Sequence, residues 1–200
     1  MEYICGVTFA PFALVPGTFF KPGAKESLDY DEGENRRKFR DICAGGLQET
    51  PQSEEICFTS KATMEDDELI AMIEYAKEIG LRVALKPTVN CKNGTWRAHI
   101  NFFDEDVPCE PKWGNWFTSY TAFQLHYAKI AEQYGCEMFI AGCEMVMSEH
   151  REAEWRKLLS DIRQVYHGLL SYNTDKYQEH RVNWWDAVDV ISSSGYYPYG

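Results

Sequence analysis

Polar and apolar positions follow two different periods along this chain, and the two periods take turns. Residues 66–80 (DDELIAMIEYAKEIG) place Leu69, Ile70, Met72, Ile73, Ala76 and Ile79 on one face at helical spacing. Acidic residues crowd the start of this helix, at the positive end of its dipole, and Gly80 is suited to end it. Residues 83–90 (VALKPTVN) then read as a strand whose end is marked by Pro87. A polar, aromatic stretch over 91–117 reads as a loop, 119–134 as a helix, and 138–143 (MFIAGC) as a buried strand. A helix over 152–166 and strands over 168–173 and 188–198 follow, while residues 3–10 (YICGVTFA) read as the first strand.

Short strands alternating with helices of this length predict right-handed βαβ units and a parallel sheet. No GxGxxG or P-loop sequence supports an open nucleotide-binding sheet. Polar and aromatic residues gather instead at the C-terminal ends of several strands, where a barrel builds its site. The predicted fold class is therefore α/β, a (β/α)8 TIM-barrel type that is incomplete, with about six βα units in a single domain over 1–200.

One window breaks the pattern. Where the barrel needs its second strand, residues 31–41 read DEGENRRKFRD, which is charged and has no β period, and 45–51 (GGLQETP) read as a loop. Back-translating residues 34–44 with degenerate codons and reading one base later permits KTGANFVIFA, a glycine followed by a β-rich run. Residues 31–44 are on that reading a compensated frameshift, and otherwise a solvated insertion with a helical turn of its own.

Charge and cysteine usage narrow the function classes. A net charge of −11 over 200 residues argues against a nucleic-acid partner, which needs a basic face, and against an anionic membrane surface. The N-terminus has no basic segment followed by an apolar core, and the chain has no apolar run of about 18 residues. The seven cysteines include no CxxC and no Cys/His cluster at zinc spacing, which predicts reduced thiols, a cytoplasmic protein and no metal or other cofactor. His126 lies in an apolar helical pattern and reads as structural, and the other four histidines have no ligand spacing.

Candidate chemistry concentrates at strand ends. Residues 138–143 run straight into Glu144, as a barrel strand delivers an acid to its rim. A carboxylate is costly to bury without partners, and partial burial at a barrel mouth shifts a glutamate toward the protonated form that a general acid needs. Lys86 and Asn90 end the third strand; Lys86 serves a sugar hydroxyl or a catalytic carboxylate, or else an interstrand salt bridge. Trp96 and Arg97 are suited to stack on a pyranose and to bond its hydroxyls, or to anchor their loop. Tyr172 and Tyr197 end the fifth and sixth strands and are expected in the cleft. Trp113 and Trp116 read as staples of the helix over 119–134, and Glu149 and Glu152 as caps or surface decoration of the helix over 152–166. Asp104, Glu105, Asp106 and Glu110 read as a solvated loop face.

These segments carry a resemblance. Residues 116–145 (WFTSYTAFQLHYAKIAEQYGCEMFIAGCEM) resemble the fourth βα region of glycoside hydrolase family 113, β-mannanase-like (β/α)8 barrels in a clan of retaining glycosidases. VALKPTVN, TWRAHI, 154–173 (EWRKLLSDIRQVYHGLLSYN) and 184–199 (WWDAVDVISSSGYYPY) extend it over most of the chain except 31–44. The resemblance implies hydrolysis of β-linked glycans such as β-1,4-mannan, with xylan or another β-glucan open, and Glu144 as the general acid/base. It implies a nucleophile at the end of a seventh strand, which is expected to be absent here because residue 200 follows the sixth. Cys143 departs from the clan's usual Asn before the acid, which leaves the contact to the sugar 2-hydroxyl to another residue. The competing expectation is a noncatalytic glycan-binding or interaction remnant. In either case the expected partner is an oligosaccharide or polysaccharide.

Overall fold

The computed structural model describes residues 6–10, 17–35, 39–59, 63–102 and 112–197, without the side chains of 6, 7 and 30–35. Six strands form one parallel sheet in chain order: β1 (Gly6–Phe9), β2 (Phe39–Gln48), β3 (Arg82–Cys91), β4 (Met138–Cys143), β5 (Leu169–Asp175) and β6 (Val190–Ser194). The helices are α1 (Pro22–Asn35), α2 (Asp66–Glu78), α3 (Lys112–Gln133) and α4 (Glu152–Arg163). Strictly sequential parallel order is the signature of a barrel wall, and the sheet is an arc of one, a partial (β/α)8 barrel. Among the described residues no helix is long and apolar enough to cross a membrane.

The sheet has two faces with different chemistry. Its outer face packs on the helices through one large core that includes Ile42, Leu85, Phe139 and Leu170 of the strands, Leu69 and Ile73 of α2, Phe123 and Tyr127 of α3, and Trp155 and Ile162 of α4. The inner face holds a small separate cluster of Phe39, Ala84, Met138 and Ile140, with Val190 packed against it. At β6 the outer face is open, and Ile191 is 59% exposed there.

The second strand is where the structure corrects the sequence reading most. The chain as written supplies it: β2 pairs in register with β3 from Phe39 opposite Arg82 to Gln48 opposite Cys91. Its charged residues hid it. Ile42 and Ala44 face the helices, Asp41 and Cys43 line the inner groove, and Arg40 is wholly buried. Gly45 and Gly46 belong to the strand and not to a loop. A Cβ at Gly46 would lie 2.8 Å from the Phe123 ring, so the glycine is what lets α3 approach this closely.

Two other boundaries move. α3 begins at Lys112, seven residues before the expected 119, because Trp113, Trp116, Phe117 and Tyr120 are its buried stripe at i, i+3, i+4 and i+7. Pro87 does not end β3. Beyond Leu85 the strand has parted from β4 and stays paired with β2 alone, and a strand with a free side tolerates proline.

Candidate active site

The inner face opens into a groove of about 1030 Å³ whose walls include Asp41, Lys86, Asn90, Arg97, Glu144 and Ser194. Glu144 is placed there by a turn at the end of β4. The β4–β5 register shifts between Ile140 and Cys143, and the Glu144 amide donates to the Asn173 carbonyl at 2.7 Å. Gly142, at φ +148°, makes the approach possible, since a Cβ there would lie 2.7 Å from the Tyr120 hydroxyl. Glu144 itself has φ +54°, a left-handed conformation uncommon for a side-chain-bearing residue and of the kind found where a site over-determines its backbone.

Three donors converge on the Glu144 carboxylate. The Trp96 indole N–H donates to Oε2 at 3.0 Å, Arg97 Nη1 donates to Oε2 at 3.2 Å, and the Ser194 hydroxyl donates to Oε1 at 2.6 Å. The Arg97 fork is itself fixed, with Nε on the Val89 carbonyl at 3.1 Å and Nη2 on Asn90 Oδ1 at 2.9 Å. Asn173 Nδ2 donates to Ser194 Oγ at 2.9 Å, so Ser194 relays between β5 and Glu144. The Arg97 and Glu144 side chains are 19% and 13% exposed, sheltered enough for charge-assisted bonds to matter.

A second polar cluster lines the groove at β1, β2 and β3. Lys86 Nζ donates to Thr8 Oγ1 at 2.9 Å and lies 3.4 Å from Asp41 Oδ2, to which Thr8 also donates at 3.1 Å. This is the salt-bridge alternative for Lys86, made across β1, β2 and β3. Cys43 and Cys143 adjoin it; burial pushes the Cys43 thiol up to about 12 and raises that of Cys143 too, so both are neutral thiols at neutral pH.

Of the residues singled out in the sequence, Lys86, Asn90, Trp96, Arg97 and Glu144 come together. Trp96 reaches Glu144 while 44% of the residue stays exposed. The two tyrosines do not join them. Tyr172 is wholly buried behind the groove, edge-on against Trp155 and Trp184, with its hydroxyl on the Met145 amide and Glu149. Tyr197 turns away to donate to Glu179 Oε1 at 2.5 Å, and its neighbour Tyr196 lines the groove instead. Glu149 is not a cap of α4 but a buried carboxyl; Glu152 is on the surface of α4 and bonds Arg156. Asp104, Glu105, Asp106 and Glu110 lie outside the described residues. Sequence reasoning missed Asp41, Thr8 and Ser194. The alternation along β6, which puts Val190, Ser192 and Ser194 on one face, is the signal that could have found Ser194.

Comparison with known proteins bears on the same elements. The profile of Glycoside Hydrolase Family 113 matches residues 7–200. A solved GH113 β-1,4-mannanase superposes with a TM-score of 0.93 at 54% identity, over 99% of this chain and 64% of that one. The GH113 β-mannanase AaManA from Alicyclobacillus acidocaldarius, solved in complex with ManMIm, superposes with a TM-score of 0.92 at 41% identity, over 99% of this chain and 63% of that one. The endoglucanase Cel5A from Pseudomonas stutzeri shares the fold alone, with a TM-score of 0.54 at 15% identity. No curated protein matched the sequence. The chain thus spans just under two thirds of the length of the mannanases it is similar to.

Proposed function

The chain belongs to glycoside hydrolase family 113, and from that premise we propose that it carries the acid/base half of a retaining β-1,4-mannan hydrolase site, with Glu144 as the general acid/base. The observation that carries the reading is the presentation of Glu144 in a groove by a left-handed turn, with three donors fixing its carboxyl group. The names of the relatives at 54% and 41% identity support mannan over xylan or another β-glucan.

The hydrogen bonds favour one oxygen as the proton carrier. Trp96 and Arg97 are donors only, and both occupy Oε2. Ser194 is a hydroxyl, able to turn from donor to acceptor as Glu144 gains a proton. The proton delivered to the leaving glycosidic oxygen is therefore carried on Oε1. In a retaining mechanism a second carboxylate about 5–5.5 Å away attacks the anomeric carbon, and Glu144 then takes a proton from water. The family resemblance puts that nucleophile at the end of a seventh strand, which is not among these six. The other acid lining the described groove, Asp41, is engaged by Lys86 and Thr8. This favours saccharide binding with weak turnover by residues 1–200 alone.

Calorimetric titration with mannohexaose, run beside a reducing-sugar assay on β-mannan, tests the proposal. Binding that is weakened by Arg97→Ala is expected, with turnover low. Absence of mannohexaose binding at millimolar concentration would refute the saccharide reading, and rapid turnover abolished by Glu144→Gln would refute the account of the second carboxylate.

A further inference from the structure

The segment that follows Glu144 is held by a carboxyl group that the acid/base reading leaves without a role. Glu149 is buried, and its Oε1 accepts from the Tyr172 hydroxyl and from Thr174 Oγ1, both at 2.7 Å. The Tyr172 oxygen in turn accepts the amide N–H of Met145, the residue after Glu144, at 3.1 Å. Tyr172 and Thr174 are themselves wholly buried. The rest of the segment is pinned by backbone acceptors: the Ser148 hydroxyl donates to the Met145 carbonyl, and the Trp155 and Trp184 indoles donate to the carbonyls of Ser148 and Glu149.

The bonds from Ser148, Trp155 and Trp184 fix carbonyls; among the described residues, the line from Glu149 through Tyr172 is what fixes the Met145 N–H. That amide belongs to the peptide unit joining Glu144 to Met145, so its orientation sets ψ of Glu144 directly. A left-handed residue with a Cβ is strained and relaxes unless its neighbours hold it. Tyr172 has one hydroxyl proton and donates it in the hydrogen bond to Glu149, which leaves the tyrosine oxygen lone pairs turned to Met145.

We propose that Glu149 is a positioning residue for Glu144, acting as a buried acceptor that orients the Tyr172 hydroxyl and through it the Glu144–Met145 peptide. Glu149 Oε2 is buried without a hydrogen-bond partner among the described residues, and a bare buried carboxylate oxygen is costly. Burial accordingly raises the Glu149 carboxyl above its ordinary range, against the opposing effect of the Thr174 and Tyr172 hydrogen bonds. An amide presents the same acceptor oxygen, so glutamine is the conservative replacement.

The role of Glu149 rests on Glu144 being the site's acid, but its test does not need turnover. The Trp96 indole N–H touches Glu144 Oε2, so its resonance in a ¹⁵N-correlated spectrum reports whether that carboxylate is in place. Trp96→Phe assigns the peak, and Glu144→Ala gives its position when the acceptor is gone. Glu149→Ala and Tyr172→Phe are expected to move the peak at least half of the way to the Glu144→Ala position. Glu149→Gln is expected to leave it at the wild-type position, and the Trp116 indole, bonded to Gln48, is expected to stay put throughout. Should Glu149→Ala fail to fold, Tyr172→Phe severs the same line with a smaller change in volume. The proposal is overturned if Tyr172→Phe leaves the Trp96 peak in place, or if Glu149→Gln moves it as far as Tyr172→Phe does. Adding mannotetraose to the same samples separates the two ideas: a wild-type spectrum that does not respond to the sugar counts against the saccharide reading, while the variant shifts still decide the role of Glu149.

Discussion

Arg97 offers the sharpest test of how this site is held together. Replacing it with alanine removes one charge-assisted bond to Glu144 and further bonds to Asn90, the Val89 carbonyl and the Cys143 sulfur. An exposed ion pair is worth about 0–1 kcal/mol, and breaking a fully buried one costs about 3–5 kcal/mol. The side chains here are 19% and 13% exposed, and Glu144 keeps Trp96 and Ser194 as donors, which places the loss between those limits, at about 2 kcal/mol. For a domain of this size that corresponds to a fall of roughly 4–8 °C in Tm. Arg97→Lys should recover little of it, because one ammonium cannot span acceptors on Val89, Asn90 and Glu144 at once. Urea unfolding of wild type, Arg97→Ala, Arg97→Lys, Glu144→Gln and the Arg97→Ala/Glu144→Gln double variant measures the loss, its recovery by lysine and the coupling. The coupling between the two positions should be about 1 kcal/mol. An Arg97→Lys variant within about 0.5 kcal/mol of wild type, or a double variant that is additive within that margin, would refute the view of Arg97 as a three-way clamp.

Three further expectations follow from contacts around the groove. Gly142→Ala puts a methyl 2.7 Å from the Tyr120 hydroxyl and 3.0 Å from the Tyr172 ring at a φ of +148°, and should destabilise by about 2–3 kcal/mol in urea titration. Lys86 is 7% exposed and Asp41 25%, so Asp41→Ala, which strands the deeper charge, should lower the unfolding midpoint further than Lys86→Met. Hydrogen bonds from Ser193 and Tyr197 hold the Glu179 carboxyl down, at about 2. A depressed carboxyl stabilises the fold above its unfolded value and loses that contribution as pH falls toward the folded one. Glu179→Gln should therefore flatten the loss of stability between about pH 4.5 and pH 2, measured by urea midpoints across that range, and leave a difference from wild type at pH 7.

How much of this was legible in the chain depends on which face of the sheet is being read. Hydrophobic period reports the outer face, because there the strands pack on helices and every second residue is apolar. Thus α2, α4, β4 and β5 stand out, and Glu144 is found by the apolar run that precedes it. The inner face is built from polar pairs, and it defeats the same test. β2 carries Asp41 inward to meet Lys86 and adds a buried Arg40, so a strand of ten residues looked like a charged insertion. Its glycines looked like a loop because the reason for Gly46 is a ring on α3, seventy-seven residues away. Tyr172 and Glu149 fail for a related reason. Strand-end position told that Tyr172 lies near the site but not on which side of the sheet, and one step in the strand period separates a groove residue such as Asn173 from a wholly buried one. A buried glutamate three residues before a helix has the same sequence pattern as a helix cap. Only the closure of β5 against the turn after β4 turns it into an acceptor for Tyr172, and that closure is a long-range pairing with no local trace.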